Sequence, residues 1–227
     1  MNADPTIREA TNHLELSETA RLETFSDGVF AIAITLLILE IKVPAAQAIG
    51  GADGNGDALW HALGALWPSY LGYSASFLTL GIMWMNHHAM FRHIRKTDHW
   101  FLLANVVFLM GISFLPFPTA VLAEHLAEPN SRRTAALFYG GPLVLMSVLF
   151  NILWWAGTRD DHLLGPEASR ATITAITTRA QFGALAYVVA TGLALVNVWA
   201  GVCVYIALAM LFALPYVPNT KLMSSQK

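Results

Sequence analysis

Few residues in this chain have the chemistry to act on anything, and most of those sit in apolar surroundings. Asp27 lies inside Phe25-Ser26-Asp27-Gly28-Val29-Phe30-Ala31-Ile32, and Trp84-Met85-Asn86-His87-His88 closes a second apolar run. An ionisable group there is expensive unless it is paired or faces water, so it marks a proton path, a coupling site or a structural network. Adjacent histidines could bind a metal or relay protons; without an acidic third ligand near them in sequence they point first to hydrogen-bonded packing. Asp160, Asp161 and His162 have the residue types of hydrolytic chemistry but no nucleophile motif, and read as a solvated loop. Cys203 is the only cysteine and can form no intramolecular disulfide; neither a CxxC nor a zinc spacing exists. No resident metal or cofactor is expected.

The elements that must hold these residues are membrane helices. Of 227 residues, 56% are hydrophobic and 12% charged, against about 25% charged in an average soluble domain. Uncharged runs cover 28–39, 62–91, 100–123, 134–158 and 180–220. A crossing takes about 20 apolar residues, so the last run holds two helices, turning at Asn197-Val198-Trp199-Ala200-Gly201, and the first extends over Phe25 to Val43, with Glu40 and Lys42 snorkelling at its end. The expected fold is all-α: a six-helix integral membrane bundle with helices about 22–43, 62–91, 99–123, 134–157, 179–197 and 200–217. Residues 1–20 are expected to form a cytoplasmic lead-in, 21–218 one six-helix membrane domain and 219–227 a cytoplasmic tail.

Counting Lys and Arg with the N-terminus inside places Arg8, Arg21, Arg92, Arg95, Lys96, Arg159, Arg170, Arg179, Lys221 and Lys227 inside. Only Lys42, Arg132 and Arg133 fall outside, so both termini are expected in the cytoplasm and the chain in the cell membrane as a multi-pass protein. The first 27 residues lack the apolar core of a secretory signal. A net charge of −2 with no basic tract gives no reason to expect nucleic acid as a partner. Trp60, Trp67, Trp100, Trp154, Trp155 and Trp199 lie near span ends and read as interfacial anchors.

At about 100° per residue, Ile32, Leu36 and Leu39 fall on one narrow stripe with Thr35 beside it, and Asp27 falls about 140° away. Apolar spacing of this kind also suits a face toward lipid or a neighbouring helix. Asp27 therefore turns into its own bundle, where it holds helices together or caps the helix start. The second helix returns to the same depth and brings Trp84, Asn86, His87 and His88, whose ring or amide N–H groups could donate to the carboxylate.

These residues carry a resemblance. Arg21-x-x-x-Phe25-Ser26-Asp27, followed by Gly-Val-Phe-Ala-Ile-x-Ile-Thr-Leu-Leu, and Trp84 with His87 and His88, resemble the first two helices of bacterial relatives of the lysosomal potassium channel, transmembrane protein 175. The resemblance implies a potassium-permeable channel built from four single-repeat chains with the first helices around the axis. It also implies that the constriction lies on large first-helix aliphatics, which are Ile32, Leu36 and Leu39 here, with Thr35 as the nearby hydroxyl and potassium as the permeating species. The signature residues Arg21, Phe25, Ser26, Asp27, Trp84, Asn86, His87 and His88 are expected to serve the inter-helix network.

A lone chain cannot enclose a pore with one helix face, whereas a closed ring of identical subunits can. The Thr-Val-Gly-Tyr-Gly filter is absent, so selectivity has to arise from pore width, dewetting and threonine or backbone oxygens. The competing reading is a cation- or proton-coupled secondary transporter using Asp27 and the His87/His88 pair, against which stands the lack of an obvious internal repeat. A membrane enzyme would need convergent catalytic groups including a nucleophile, and the Asp27/His87/His88 level has none.

Overall fold

A computed structural model describes residues 5–45, 56–159, 163–166 and 168–213. The described residues form a helical bundle: α1 (Pro5–Leu36), α2 (Gly56–Ala65), α3 (Trp67–Phe91), α4 (His99–Phe114), α5 (Pro116–His125), α6 (Arg132–Thr158), α7 (Arg170–Val196) and α8 (Val198–Ala213). Four stretches are long and apolar enough to cross a membrane: Glu18–Glu40, His99–His125, Arg132–Thr158 and Arg170–Val196. The 25-residue α3 is diluted by its polar residues, and Val198–Phe212 is apolar but shorter. Asp160, Asp161 and His162, and the 219–227 tail lie outside the described residues.

Several boundaries differ from those expected, and proline and side-chain caps explain most of them. The first helix was expected over 22–43, but α1 begins at Pro5, taking the lead-in into the same helix, and ends at Leu36; Leu37–Glu40 is one 3-10 turn and Ile41 is extended. Thr35 Oγ1 donates to the Ala31 and Ile32 carbonyls at 2.9 Å, competing for acceptors of the last turn, and Pro44 disfavours helix at Val43. The expected 62–91 helix is two helices, with α2 starting at Gly56, ahead of the expected span. Pro68 at the start of α3 lacks the N–H for the Gly64 carbonyl, and the chain breaks at Leu66.

Pro116 likewise divides 99–123 into α4 and α5 at Leu115, whose N–H bonds to Ile112 O at 3.3 Å in a tightened turn. Pro142 does not interrupt α6. The fifth helix starts at Arg170 rather than near 179, because Ser169 Oγ accepts from the Thr172 N–H at 3.1 Å and caps it. The turn between α7 and α8 shrinks to Asn197, whose side chain accepts from Ala200 N at 3.2 Å. Gly201 makes so tight a turn possible: a Cβ there would lie 3.0 Å from Ala194 backbone atoms.

The core runs between α3, α4, α5 and α6 and is closed by α7 and α8. Phe101, Phe108, Ile112, Leu115, Leu143 and Met146 are wholly buried there. At its polar centre Ser76 Oγ meets Thr119 Oγ1 at 2.8 Å and Tyr139 Oη at 3.0 Å, joining α3, α5 and α6. One tryptophan departs from the expected interfacial role: Trp154 is buried and donates to Thr177 Oγ1 at 2.8 Å. Trp60, Trp67, Trp100, Trp155 and Trp199 are exposed, and the Trp67 and Trp199 rings pair at 5.9 Å.

α1 lies on one side of this core, packed on α3 and α4. Thr19 Oγ1 ties its N-terminal half to the Arg95 carbonyl at 3.0 Å. At the other end Lys42 Nζ meets Glu124 at 2.9 Å, an exposed pair that holds the Lys42 ammonium above the usual lysine range.

Candidate functional site

Two faces of α1 do different work. Ser26, Phe30, Ala33 and Leu37 recur at helical spacing, are buried, and seat the helix on α3 and α4. The opposite face carries Phe25, Ile32, Leu36 and Leu39, which stay 57%, 62%, 42% and 66% exposed. Leu39 belongs to the 3-10 turn rather than to the α-helix assumed for the wheel. Three residues make a full turn of a 3-10 helix, so Leu39 still projects from the side Leu36 occupies. Thr35 is exposed on the same face with its hydroxyl proton committed to its own backbone, leaving oxygen lone pairs outward.

Behind this face the signature residues divide into two polar layers. In the inner layer Ser26 Oγ donates to Leu22 O at 2.8 Å and accepts from Asn105 Nδ2 at 3.0 Å, while Asn105 Oδ1 meets His87 Nε2 at 2.9 Å. With the amide so oriented, only a proton on His87 Nε2 satisfies the chain of bonds. Phe30, Phe91 and Phe108 enclose the ring, with Phe108 stacked at 5.7 Å, and Nδ1 is buried with no partner among the described residues. A second proton on Nδ1 would find no acceptor among the described residues.

The second layer is nearer solvent. Trp84 Nε1 donates to Asp27 Oδ1 at 2.8 Å, and His88 Nδ1 meets Glu23 Oε1 at 2.9 Å. Trp84 and His88 stack at 5.9 Å, so both bonds approach from one side of α3. Donor atoms of Glu23, Asp27 and His88 lie within 4.8 Å of one another, a set a divalent cation could use. The acidic neighbour missing from the sequence reading of the histidines is thus supplied by folding. In this arrangement the same atoms already serve Trp84 and each other.

Not every signature residue enters these layers. Arg21 and Phe25 are exposed on the outward side of α1, and half-buried Asn86 makes none of the bonds described. Two participants escaped the sequence reading. Asn105 is the sole amide in the 100–123 run, an intramembrane polar group that should have demanded a partner. Glu23 stands one helical turn before Asp27 and so shares its side.

Comparison with known proteins gives this arrangement its context. The family model described as "Endosomal/lysosomal potassium channel TMEM175" matches residues 21–116, the part that holds the second half of α1, both polar layers and α4. A potassium channel of Streptomyces collinus is 43% identical over 203 residues, 89% of this chain and 95% of that one. A crystal structure of a lysosomal potassium-selective channel TMEM175 homolog from Chamaesiphon minutus is 44% identical. It superposes with a TM-score of 0.77 over 87% of this chain and 97% of its own. The endosomal/lysosomal proton channel TMEM175 of Homo sapiens is 31% identical over 138 residues, 60% of this chain but 27% of that longer protein. The chain belongs to the TMEM175 family, whose members are channels of the membrane and not enzymes.

Proposed function

We propose that this chain is the subunit of a passive potassium channel, with the exposed face of α1 as the wall of its pore. The observation that carries the reading is the division of α1: one side is fastened by two polar layers, and the other leaves Ile32, Leu36 and Leu39 open. In a homotetramer each of the three becomes a ring of aliphatic side chains, and a narrow apolar ring holds back water and ions unless it widens. Ile32 forms the inner end, with Leu36 and Leu39 following outward and Thr35 offering an oxygen beside them. The ring would favour potassium over sodium because the larger ion loses its water at lower cost. No cofactor or resident metal takes part, and the partners are three further copies, the bilayer and monovalent cations.

The membrane arrangement belongs to the same proposal. α1, α3, the α4–α5 pair, α6, α7 and α8 supply six crossings in one channel domain spanning 21–218. Both termini are cytoplasmic and the chain resides in the cell membrane, the orientation that the lysine and arginine distribution favours. The relatives named as potassium channels, at 43% and 44% identity across nearly their whole length, support conduction of this ion.

Potassium flux from proteoliposomes tests the reading. Vesicles loaded with potassium should lose it once a proton ionophore carries counter-charge, and faster than sodium-loaded vesicles lose sodium. Flux that requires an imposed proton gradient and ignores the potassium gradient would establish the coupled transporter built on Asp27 and His87/His88 instead.

A further inference from the structure

We propose that the cavity between the α5–α6 loop and the α7–α8 turn binds the phosphate of an anionic phospholipid headgroup, independently of how the pore conducts. The cavity measures about 560 Å³, and Asn130, Arg132, Arg133, Thr134, Asn197 and Trp199 are in its wall. It lies where α6 begins and α7 ends, two 27-residue helices that are each long enough to span a bilayer. That places its mouth at headgroup depth.

Positive charge gathers in this cavity with nothing to balance it. Arg132 and Arg133 open α6, the end at which the helix dipole disfavours a cation, and the first turn holds no acidic residue. Among the described residues neither guanidinium has a hydrogen bond or an ion pair. Glu128, the nearest carboxylate in sequence, contributes only its backbone carbonyl, to the Ser131 and Arg132 N–H groups at 3.3 and 3.0 Å. Ser131 stands at the cap position, yet its hydroxyl does not cap, and the Arg133 and Thr134 N–H groups have no acceptor. Two arginines and two free amides at one wall form a donor set for a tetrahedral oxyanion, which arginine can grip through paired N–H groups.

The flank of the cavity selects a lipid over a free anion. Val196 is 84% exposed and Trp199 42% exposed, and the Trp199 ring pairs with Trp67 in the manner of an interfacial anchor. A soluble phosphate would leave these apolar surfaces bare; the glycerol and upper acyl chains of a phospholipid cover them.

Thermal unfolding of the full chain in neutral detergent provides the test, with phosphatidylglycerol, phosphatidylcholine or inorganic phosphate added separately. Phosphatidylglycerol should raise the midpoint by on the order of 5 °C, as expected for a ligand that binds only the folded protein, and the other two should leave it in place. The double variant Arg132→Gln/Arg133→Gln should lose the shift, while without lipid it unfolds no earlier than the parent, because it relieves two cations at a positive helix end. Arg92→Gln, at the opposite end of the helices, should keep the shift. Retention of the shift in the double variant, or an equal shift with inorganic phosphate alone, would overturn the assignment. Should the double variant not fold, native mass spectrometry of the parent decides: it must retain phosphatidylglycerol in preference to phosphatidylcholine, and equal retention overturns the site.

Discussion

Ser26 and Asp27 are adjacent in sequence but serve separate layers, and the difference sets what each substitution does. Asp27 is half-buried and accepts from Trp84 Nε1, so Asp27→Ala removes a hydrogen bond to a charged group, which contributes about 1.5–3 kcal/mol. Trp84→Phe removes the same bond from its other side. A thermal-unfolding double-mutant cycle on these two positions should therefore be non-additive, and strictly additive losses would show that the bond carries no stability. Asn105→Leu acts deeper: it strands the His87 Nε2–H and withdraws the donor from Ser26 in a buried site. The expected loss is about 1–3 kcal/mol for the unmet donor, measurable as earlier dissociation or unfolding in detergent, and a neutral result would remove the inner layer from the account.

How much of this was legible varied by residue. Depth alone placed the Trp84 to His88 cluster opposite Asp27, because two successive spans that run in opposite directions must bring those segments together. Which donor reaches which acceptor depends on side-chain direction and on a third helix. His87 thus turns to Asn105, and His88 takes Glu23, pairings that the spacing within a single helix could not reveal.

At the scale of elements, hydropathy located the apolar helices and missed their breaks, since it averages over the residues that cause them. Pro68 and Pro116 end one helix and start another, whereas Pro142 sits inside α6 without interrupting it. Helices approach closely at Gly140, where an added Cβ would meet Tyr205 Oη and would lie 2.6 Å from Thr191 Oγ1, the two atoms that bond α8 to α7 at 3.0 Å. Gly140→Ala should therefore destabilise by about 1–3 kcal/mol through overpacking. Adding Tyr205→Phe, which deletes the clashing oxygen, should recover part of the loss. Gly141→Ala next door meets nothing within 4 Å and should be neutral or slightly stabilising. Equal melting temperatures for the two alanine variants would show that α6 and α8 do not approach as described.

For the whole molecule, the proposed function has one chain supply a wall that only a closed ring of identical chains can turn into a pore. An unpartnered aliphatic face on α1 is compatible with lipid when viewed in isolation, and the polar layers that fix its orientation support the pore reading proposed above. The pore reading makes conduction sensitive to Ile32 and Leu36 and insensitive to their neighbour Ile34, which is half-buried and packs against the core. Asparagine at a ring position would offer amide oxygens to a passing ion and admit water to the constriction.

Single-channel recording in planar bilayers, with potassium on one side and sodium on the other, tests this most directly. The parent chain should give discrete current steps that reverse toward the potassium equilibrium potential. Ile32→Asn and Leu36→Asn should give larger steps with a reversal potential moved toward zero, while assembled Ile34→Asn keeps the parent's step size and reversal. Unchanged conductance and reversal in both Ile32→Asn and Leu36→Asn, in oligomers shown to be intact, would contradict a pore lined by the first helix.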